Sequence, residues 1–156
     1  MTRQEYGKQV LTEIDREGVV ATLLKKAKDS VKQKYQDSEI TSTELGYIAN
    51  SGVHIHHILP QHSYPEYSLA RENLIALTPG QHLSFAHIRA NTKSISPLFQ
   101  AICLKTKLVN IEDGENFYNY NVFISIINTC YGWELNHSID KNLLLEKIES
   151  KIQELS

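Results

Sequence analysis

Histidine is concentrated in one short part of this sequence. Six of the seven histidines lie within the 34-residue stretch from His54 to His87. A neutral imidazole, with an ordinary pKa of about 6.5, can take a proton from water at neutral pH, and it also binds divalent metal ions. The cluster therefore indicates a metal site, a general base, or both. Its members are His54, His56, His57, His62, His82 and His87.

The spacing of residues around this cluster is informative. The string Ile55-His56-His57-Ile58-Leu59-Pro60 is followed by Asn73, sixteen residues after His57, and by His82, nine residues after Asn73. This pattern resembles the HNH nuclease motif, also called the ββα-metal or His-Me finger motif, over about residues 53–87. The resemblance implies a metal-dependent endonuclease that hydrolyses phosphodiester bonds of DNA with one metal ion.

The resemblance also implies a role for four residues. His57 corresponds to the general base, and His56 and His82 correspond to metal ligands. Asn73 corresponds to the asparagine that ties the long loop to the backbone and fixes the base histidine. Phosphodiester cleavage needs an activated water, a cation beside the leaving oxygen and rigid placement of both, and these residues would supply them.

The second metal-binding position departs from the family pattern. Many members carry a further ligand four residues after the equivalent of His82, whereas this chain has Ala86 there and a histidine one residue later, His87. Five residues turn a helix by about 140°, so His87 reaches the metal only if the helix is distorted. Two protein ligands suit Mg²⁺ or Mn²⁺, while imidazoles equally accept Zn²⁺, Ni²⁺ or Co²⁺.

Three further residues are candidates for phosphate contact. His54 precedes His56 by two and shares its strand face, while Arg71 and Arg89 lie near the motif. Surface salt bridges are the alternative for the two arginines. Adjacent strand residues point to opposite faces, so His56 and His57 need a bend or bulge to serve one cleft, or they serve it from two directions.

Local patterns predict the elements that must position these residues. The pattern of residues 3–36 predicts two helices broken near Gly18. Strands are predicted at residues 46–59 and 74–77, on either side of an irregular stretch. Thr78 and Gln81 form a capping box with Pro79 at the first helical position, which predicts a helix through Ala90. Apolar periodicity predicts three more helices, at 95–108, 117–130 and 138–155.

These elements predict an α+β fold that is mostly helical, with a central ββα-metal (HNH) unit flanked by N- and C-terminal helices. We expect a single domain over residues 1–156, made of N-terminal helices (1–45), the HNH core (46–92) and C-terminal helices (93–156). A chain of this length can bury a hydrophobic core without disulfides.

Composition excludes several classes of protein. The two cysteines form no CxxC pair, which argues against a zinc ribbon, a disulfide scaffold and a thioredoxin-like site. No apolar run approaches the roughly 20 residues that span a bilayer, and the charged N-terminus does not fit a signal peptide. We therefore expect an intracellular, cytoplasmic protein that does not associate with a membrane.

Charge is distributed unevenly although the formal net charge is only -2. Residues 16–34 hold six basic and two acidic side chains, whereas residues 111–156 hold three lysines and eight carboxylates. This asymmetry would orient the protein on a polyanion, with the N-terminal helix towards it. An ordinary solvated lysine-rich helix face is the alternative interpretation.

Three functions fit these observations. The first is a DNA endonuclease, for instance a type II restriction enzyme, which would act as a homodimer because a double-strand break needs two active sites. The second is a non-specific toxin-like nuclease, although such domains are usually strongly basic. The third is a non-catalytic zinc-binding module built from His54, His56, His82 and His87. Closed structural zinc sites are typically rich in cysteine, and a module has no need for His57.

Overall fold

The computed structural model of the chain describes residues 3–35, 38–40, 53–78, 81, 96–112 and 114–156, and for residues 3–17 it describes the helix but not the side chains. Within these ranges the chain forms four α-helices and one two-stranded antiparallel sheet. The prediction of a mostly helical α+β fold is therefore confirmed. No helix in the described ranges is both long and apolar enough to cross a bilayer.

The first element is a single long helix, α1 (Arg3–Lys34). The prediction of two helices broken near Gly18 is therefore wrong. A glycine inside a helix is about 1 kcal/mol less favourable than alanine, but it keeps its backbone N–H and its carbonyl, so the helical hydrogen bonds can continue through it. The Gly18 carbonyl also accepts a hydrogen bond from the hydroxyl of Thr22, at 2.9 Å.

The sheet consists of β1 (His54–His57) and β2 (Leu74–Leu77). In their antiparallel register His54 lies opposite Leu77, and His57 lies opposite Leu74. The bounds of β2 are those that the sequence predicts. All four residues of β2 are buried, so this strand is covered on both faces, as a continuous apolar run requires.

Three helices follow the sheet: α2 (Pro97–Asn110), α3 (Tyr120–Tyr131) and α4 (Lys141–Leu155). They lie within three residues of their predicted bounds at each end. Each begins at a capping side chain that accepts a backbone N–H, namely Ser96, Asn119 and Asp140 respectively. The last turn of α3 ends at Gly132, whose φ of 67° lies in the left-handed region that favours glycine.

The hydrophobic core joins the sheet to these three helices. It includes Leu59 after β1, Leu77 of β2, and residues from each helix such as Leu104, Phe123 and Ile148. The core thus holds the end of the histidine-bearing strand against three helices. Both cysteines are free thiols, and one of them is fully buried like a small apolar side chain.

The segment between the strands and the start of the next helix also follow the predicted pattern. Residues 60–72 contain no strand or α-helix, and two short 3-10 turns lie at Pro65–Tyr67 and Arg71–Asn73. The capping box is present: the backbone N–H of Thr78 donates to Gln81 Oε1 at 2.9 Å, and the N–H of Gln81 donates to Thr78 Oγ1 at 3.2 Å. Apart from Gln81, the helix predicted to follow, through Ala90, lies outside the described residues.

Candidate active site

Strand β1 carries three of the clustered histidines in four consecutive residues. His54 is exposed, His56 is 3% exposed, and His57 is half-buried. The pairing with β2 runs through His57 without interruption, so successive side chains alternate between the two faces of the sheet. Of the two arrangements that the sequence leaves open, His56 and His57 therefore reach any shared cleft from two directions.

The ring of His57 is oriented by a backbone carbonyl. Its Nε2 lies 3.0 Å from the carbonyl oxygen of Ser68. A carbonyl can only accept, so Nε2 carries the proton in the neutral ring and Nδ1 becomes the nitrogen that can take a proton. Burial lowers the pKa of His57, the hydrogen bond to Ser68 opposes that effect, and the charge of Lys28 adds to the lowering. A neutral ring with a defined accepting nitrogen is what a general base needs.

The amide of Asn73 joins the two ends of the loop that carries Ser68. Asn73 is fully buried, and its Oδ1 accepts the backbone N–H of Leu59 at 2.7 Å. Its Nδ2 donates to the carbonyls of Leu59, at 3.1 Å, and of Tyr67, at 3.3 Å. Because Tyr67 immediately precedes Ser68, these bonds hold the carbonyl that orients His57.

A side chain of α2 fixes the residue that follows β1. Gln100 Nε2 donates to the carbonyl of Ile58 at 2.9 Å, while the N–H of Ile58 donates to the carbonyl of Asn73 at 2.8 Å. Both backbone polar groups of Ile58, next to His57, are therefore satisfied in the core. Sequence reasoning missed Gln100, because a glutamine on a helix gives no sign of which distant carbonyl it will meet.

A short segment, residues 38–40, binds both β2 and the capping box, and we call it the clasp. Glu39 exchanges hydrogen bonds with Ala76 of β2: its N–H donates to the Ala76 carbonyl at 2.9 Å, and its Oε2 accepts the Ala76 N–H at 2.6 Å. The hydroxyl of Ser38 donates to Gln81 Oε1 at 2.5 Å, and Gln81 Nε2 donates to the carbonyl of Ile40 at 2.8 Å. The clasp thereby fixes the start of the helix predicted to carry His82.

The clasp is anchored by a buried ion pair. Lys107 of α2 places its Nζ 2.7 Å from Glu39 Oε1, and both side chains are fully buried. The same ammonium donates to the hydroxyl of Tyr118 at 2.8 Å, and Asn110 Nδ2 donates to Glu39 Oε1 at 2.9 Å. Burial lowers the pKa of Lys107, and the neighbouring charge of Glu39 opposes that effect. This pair has the character of a structural anchor, since each charge is satisfied inside the protein.

A groove lies between α1 and β1, beside the histidines. It has a volume of about 320 Å³, and it is open to solvent along its outer side. Helix α1 contributes two lysines and one aspartate to its lining, and the other wall is formed by residues of the strand and the residue before it. The lining residues are Lys28, Asp29, Lys32, Val53, His54 and Ile55.

Arg71, a candidate for phosphate contact, packs against an aromatic ring. Its guanidinium carbon lies 4.5 Å from the centroid of the Phe117 ring, and its Nη1 lies 3.5 Å from the carbonyl oxygen of Phe117. Lys34 Nζ lies 4.7 Å from the same centroid. These contacts give Arg71 a structural partner, and its role towards phosphate stays a prediction.

The remaining predicted site residues, His82, His87 and Arg89, lie outside the described residues. Within the part of the chain that the structure describes, no group of three or more histidine, cysteine, aspartate or glutamate side chains is placed to hold a metal ion. A ligand set that includes His82 therefore stays a prediction. His56 suits such a set by its imidazole and by its place next to His57.

Comparisons of the chain with protein-family models, with curated proteins and with solved structures give no match. The resemblance to HNH nucleases thus depends on the motif residues and on the geometry around them. Two features bear on it most directly: the orientation of His57 by the Ser68 carbonyl, and the hydrogen bonds of Asn73 across the loop.

Proposed function

We propose that this protein is a metal-dependent DNA endonuclease of the HNH type, which hydrolyses phosphodiester bonds by a one-metal mechanism. The observation that carries the proposal is the hydrogen bond between His57 Nε2 and the Ser68 carbonyl, at 3.0 Å. That bond leaves Nδ1 as the proton acceptor. The loop that carries this carbonyl is held by the buried amide of Asn73, the residue to which the motif assigns that task.

In this proposal each residue has a distinct task. His57 Nδ1 takes a proton from a water molecule as that water attacks phosphorus, so that a new P–O bond forms while the bond to the leaving oxygen breaks. Asn73 keeps the loop in place, and through Ser68 it keeps the His57 ring aimed at the water. Asn73 is therefore a positioning residue, because it acts on His57 only through the backbone of the loop.

His56 and His82 would hold the divalent cation. Its chemistry, once bound, is to stabilise negative charge on the leaving oxygen. Mg²⁺ or Mn²⁺ suits a site with few protein ligands, and Zn²⁺, Ni²⁺ or Co²⁺ suits imidazoles. His87 would join this set only if the helix were distorted. His56 directly precedes the base in β1, and its side chain is buried on the opposite face of the strand, with 3% of the residue exposed.

The proposal also concerns the kind of endonuclease that this chain would be. A type II restriction enzyme would require two copies of this chain, since one chain carries one motif and a double-strand break needs two cuts. Contacts of the active site would be mainly with backbone phosphates, so any sequence specificity would come from other elements. A cytoplasmic location would suit an enzyme that acts on DNA.

The experiment that tests the proposal uses supercoiled plasmid and the purified chain, with EDTA compared against Mg²⁺, Mn²⁺ and Zn²⁺. We expect cleavage with at least one divalent ion and none with EDTA. Discrete linear fragments would indicate restriction, and a smear would indicate a non-specific nuclease. Intact plasmid with every metal would contradict the proposal and favour the metal-binding module.

A pair of histidine variants makes this test specific to the site. His57→Ala should reduce the cleavage rate about 10²–10⁴-fold, while affinity for DNA stays within about twofold of the wild type. His62→Ala is the matched control, because His62 is an exposed histidine of the neighbouring loop. Cleavage by His57→Ala at a rate close to that of His62→Ala would remove His57 from the mechanism.

A further inference from the structure

Three lysines of α1 form a row on one side of the helix. At about 100° per residue, Lys25, Lys28 and Lys32 lie within about 60° of one another around the axis. Lys28 is half-buried at the edge of the face that packs on the sheet, and the other two are exposed. In the described ranges none of the three takes part in an ion pair. Lys25 and Lys32 thus present their charges to solvent.

The row lies next to the candidate active site. Lys28 and Lys32 line the groove whose opposite wall includes His54, two residues before His56. A polyanion that occupied this groove would therefore contact the start of β1, the strand that also carries His56 and His57.

The shape of the groove favours a polymer over a small anion. Pockets for small ligands enclose most of the ligand's surface, whereas this groove is largely open to solvent. Lys28 and Lys32 are one helical turn apart, about 6 Å along the axis, a spacing that suits neighbouring phosphates of one strand. Lysine binds phosphate as a point charge and tolerates variation in the exact position of the strand.

We propose that Lys28 and Lys32 bind the phosphodiester backbone of duplex DNA in the groove between α1 and β1, and thereby guide one strand to the active site. The inference rests on the proposed nuclease function for its choice of ligand. Asp29 also lines the groove, and its carboxylate opposes binding of a phosphate. Phosphate contacts carry no sequence information, so binding through this groove is independent of sequence.

The test is fluorescence anisotropy of a labelled duplex with the full chain, in EDTA and at several salt concentrations. Lys28→Gln and Lys32→Gln should each weaken binding about 3–10-fold. Each should also reduce the slope of log Kd against log salt concentration by about 1, whatever the duplex sequence. Asp29→Asn should tighten binding about 2–5-fold, an effect that misfolding cannot produce.

The control is Lys26→Gln on the same helix. Lys26 is exposed and lies about 160° around the axis from Lys28, so its loss should change Kd by less than about twofold. The proposal is overturned if Lys26→Gln weakens binding as much as Lys28→Gln, if the groove variants bind like the wild type, or if the wild type binds no duplex.

Measurement in EDTA separates this inference from the nuclease proposal. If the wild type cuts plasmid with metal while Lys28→Gln binds DNA normally, the proposal about the groove is refuted and the nuclease proposal is not. A chain that binds through the groove but cuts nothing with any metal would refute the nuclease and leave the groove as a DNA-binding surface.

Discussion

Among the residues that the structure describes, the side chain of Asn73 makes three hydrogen bonds, and all of them are with backbone groups. Its partners are backbone groups of Leu59 and Tyr67, which lie 14 and 6 residues away along the chain. Because the amide is fully buried, its removal would take from these backbone groups the hydrogen bonds that they now make inside the protein. The side chain thus holds the two ends of the loop together.

We predict that Asn73→Ala is both less stable and slower than the wild type. The variant leaves the N–H and the carbonyl of Leu59 buried without a partner, which should lower the free energy of unfolding by roughly 2–5 kcal/mol in urea denaturation. Misplacement of His57 should slow single-turnover cleavage by about 10²-fold under conditions where the variant is folded. Wild-type cleavage by folded Asn73→Ala would contradict the role of the amide.

Asn73→Asp provides a sharper version of the same prediction. The carboxylate keeps an acceptor for the Leu59 N–H, but its second oxygen faces the carbonyls of Leu59 and Tyr67, where Nδ2 now donates. Repulsion between these oxygens should make aspartate no milder than alanine in stability and in rate. A variant with aspartate that behaves like the wild type would show that the donor half of the amide is dispensable.

The sequence points to some residues of the candidate site and not to others. His57 and Asn73 are recognisable because their side-chain types and spacing form a motif. Ser68 contributes only its carbonyl, a group that every residue has, so no side-chain pattern can reveal it. Lys28 is a partial case: the basic run on α1 predicts a surface for a polyanion, but only the fold places that lysine beside β1.

At the scale of elements, α1 shows that a single glycine in a sequence of helix-forming residues does not end a helix. Gly18 lies in the middle of the helix, and a Cβ added there would meet nothing within 4 Å. The residue therefore serves no packing purpose, and its only effect on the helix is the extra backbone entropy that folding removes.

We predict that Gly18→Ala raises the free energy of unfolding by about 0.5–1 kcal/mol, measured by urea or thermal denaturation. Gly132→Ala is the matched control, since a Cβ there also meets nothing within 4 Å, but φ is 67°. That change should be destabilising by about 1–2 kcal/mol because of the left-handed conformation alone. A destabilising Gly18→Ala would contradict the continuous helix.

Elements with strong local signals are predicted well, and contacts between distant elements are not. Strand β2 follows from a short apolar run, and helices α2, α3 and α4 follow from apolar periodicity. The clasp lies in a polar stretch without periodicity. Its conformation depends on Ala76 and Gln81, which lie about 40 residues further along the chain.

At the scale of the whole molecule, the buried pair of Glu39 and Lys107 connects segments 68 residues apart. Removing water from two charges is costly, and their attraction offsets this only when both are present and hydrogen-bonded. The pair therefore makes the position of the clasp depend on α2, and it links the N-terminal and C-terminal parts of the fold.

We predict that Lys107→Met lowers the free energy of unfolding by about 3–5 kcal/mol, because it leaves the Glu39 carboxylate buried without its counter-charge. Adding Glu39→Gln should recover part of the loss, which a double-mutant cycle measures. Lys105→Met is the control on the same helix: its ion pair with Glu149 is largely exposed and should contribute less than about 1 kcal/mol. If Lys107→Met and Lys105→Met lowered the free energy of unfolding equally, the interpretation of the Glu39–Lys107 pair as a structural anchor would be contradicted.

The hydrogen bonds between Asn73 and Leu59 close the ends of the loop between these residues, and this makes the loop a site for redesign. Residues 61–63, at its tip, are exposed, and they precede the Tyr67 and Ser68 carbonyls used by the site. Doubling the length of a flexible loop adds only about 0.6 kcal/mol of closure entropy. A peptide grafted at the tip could thus add new base-reading contacts while the fastened ends keep the histidine aimed, which would separate the choice of target from the chemistry of cutting.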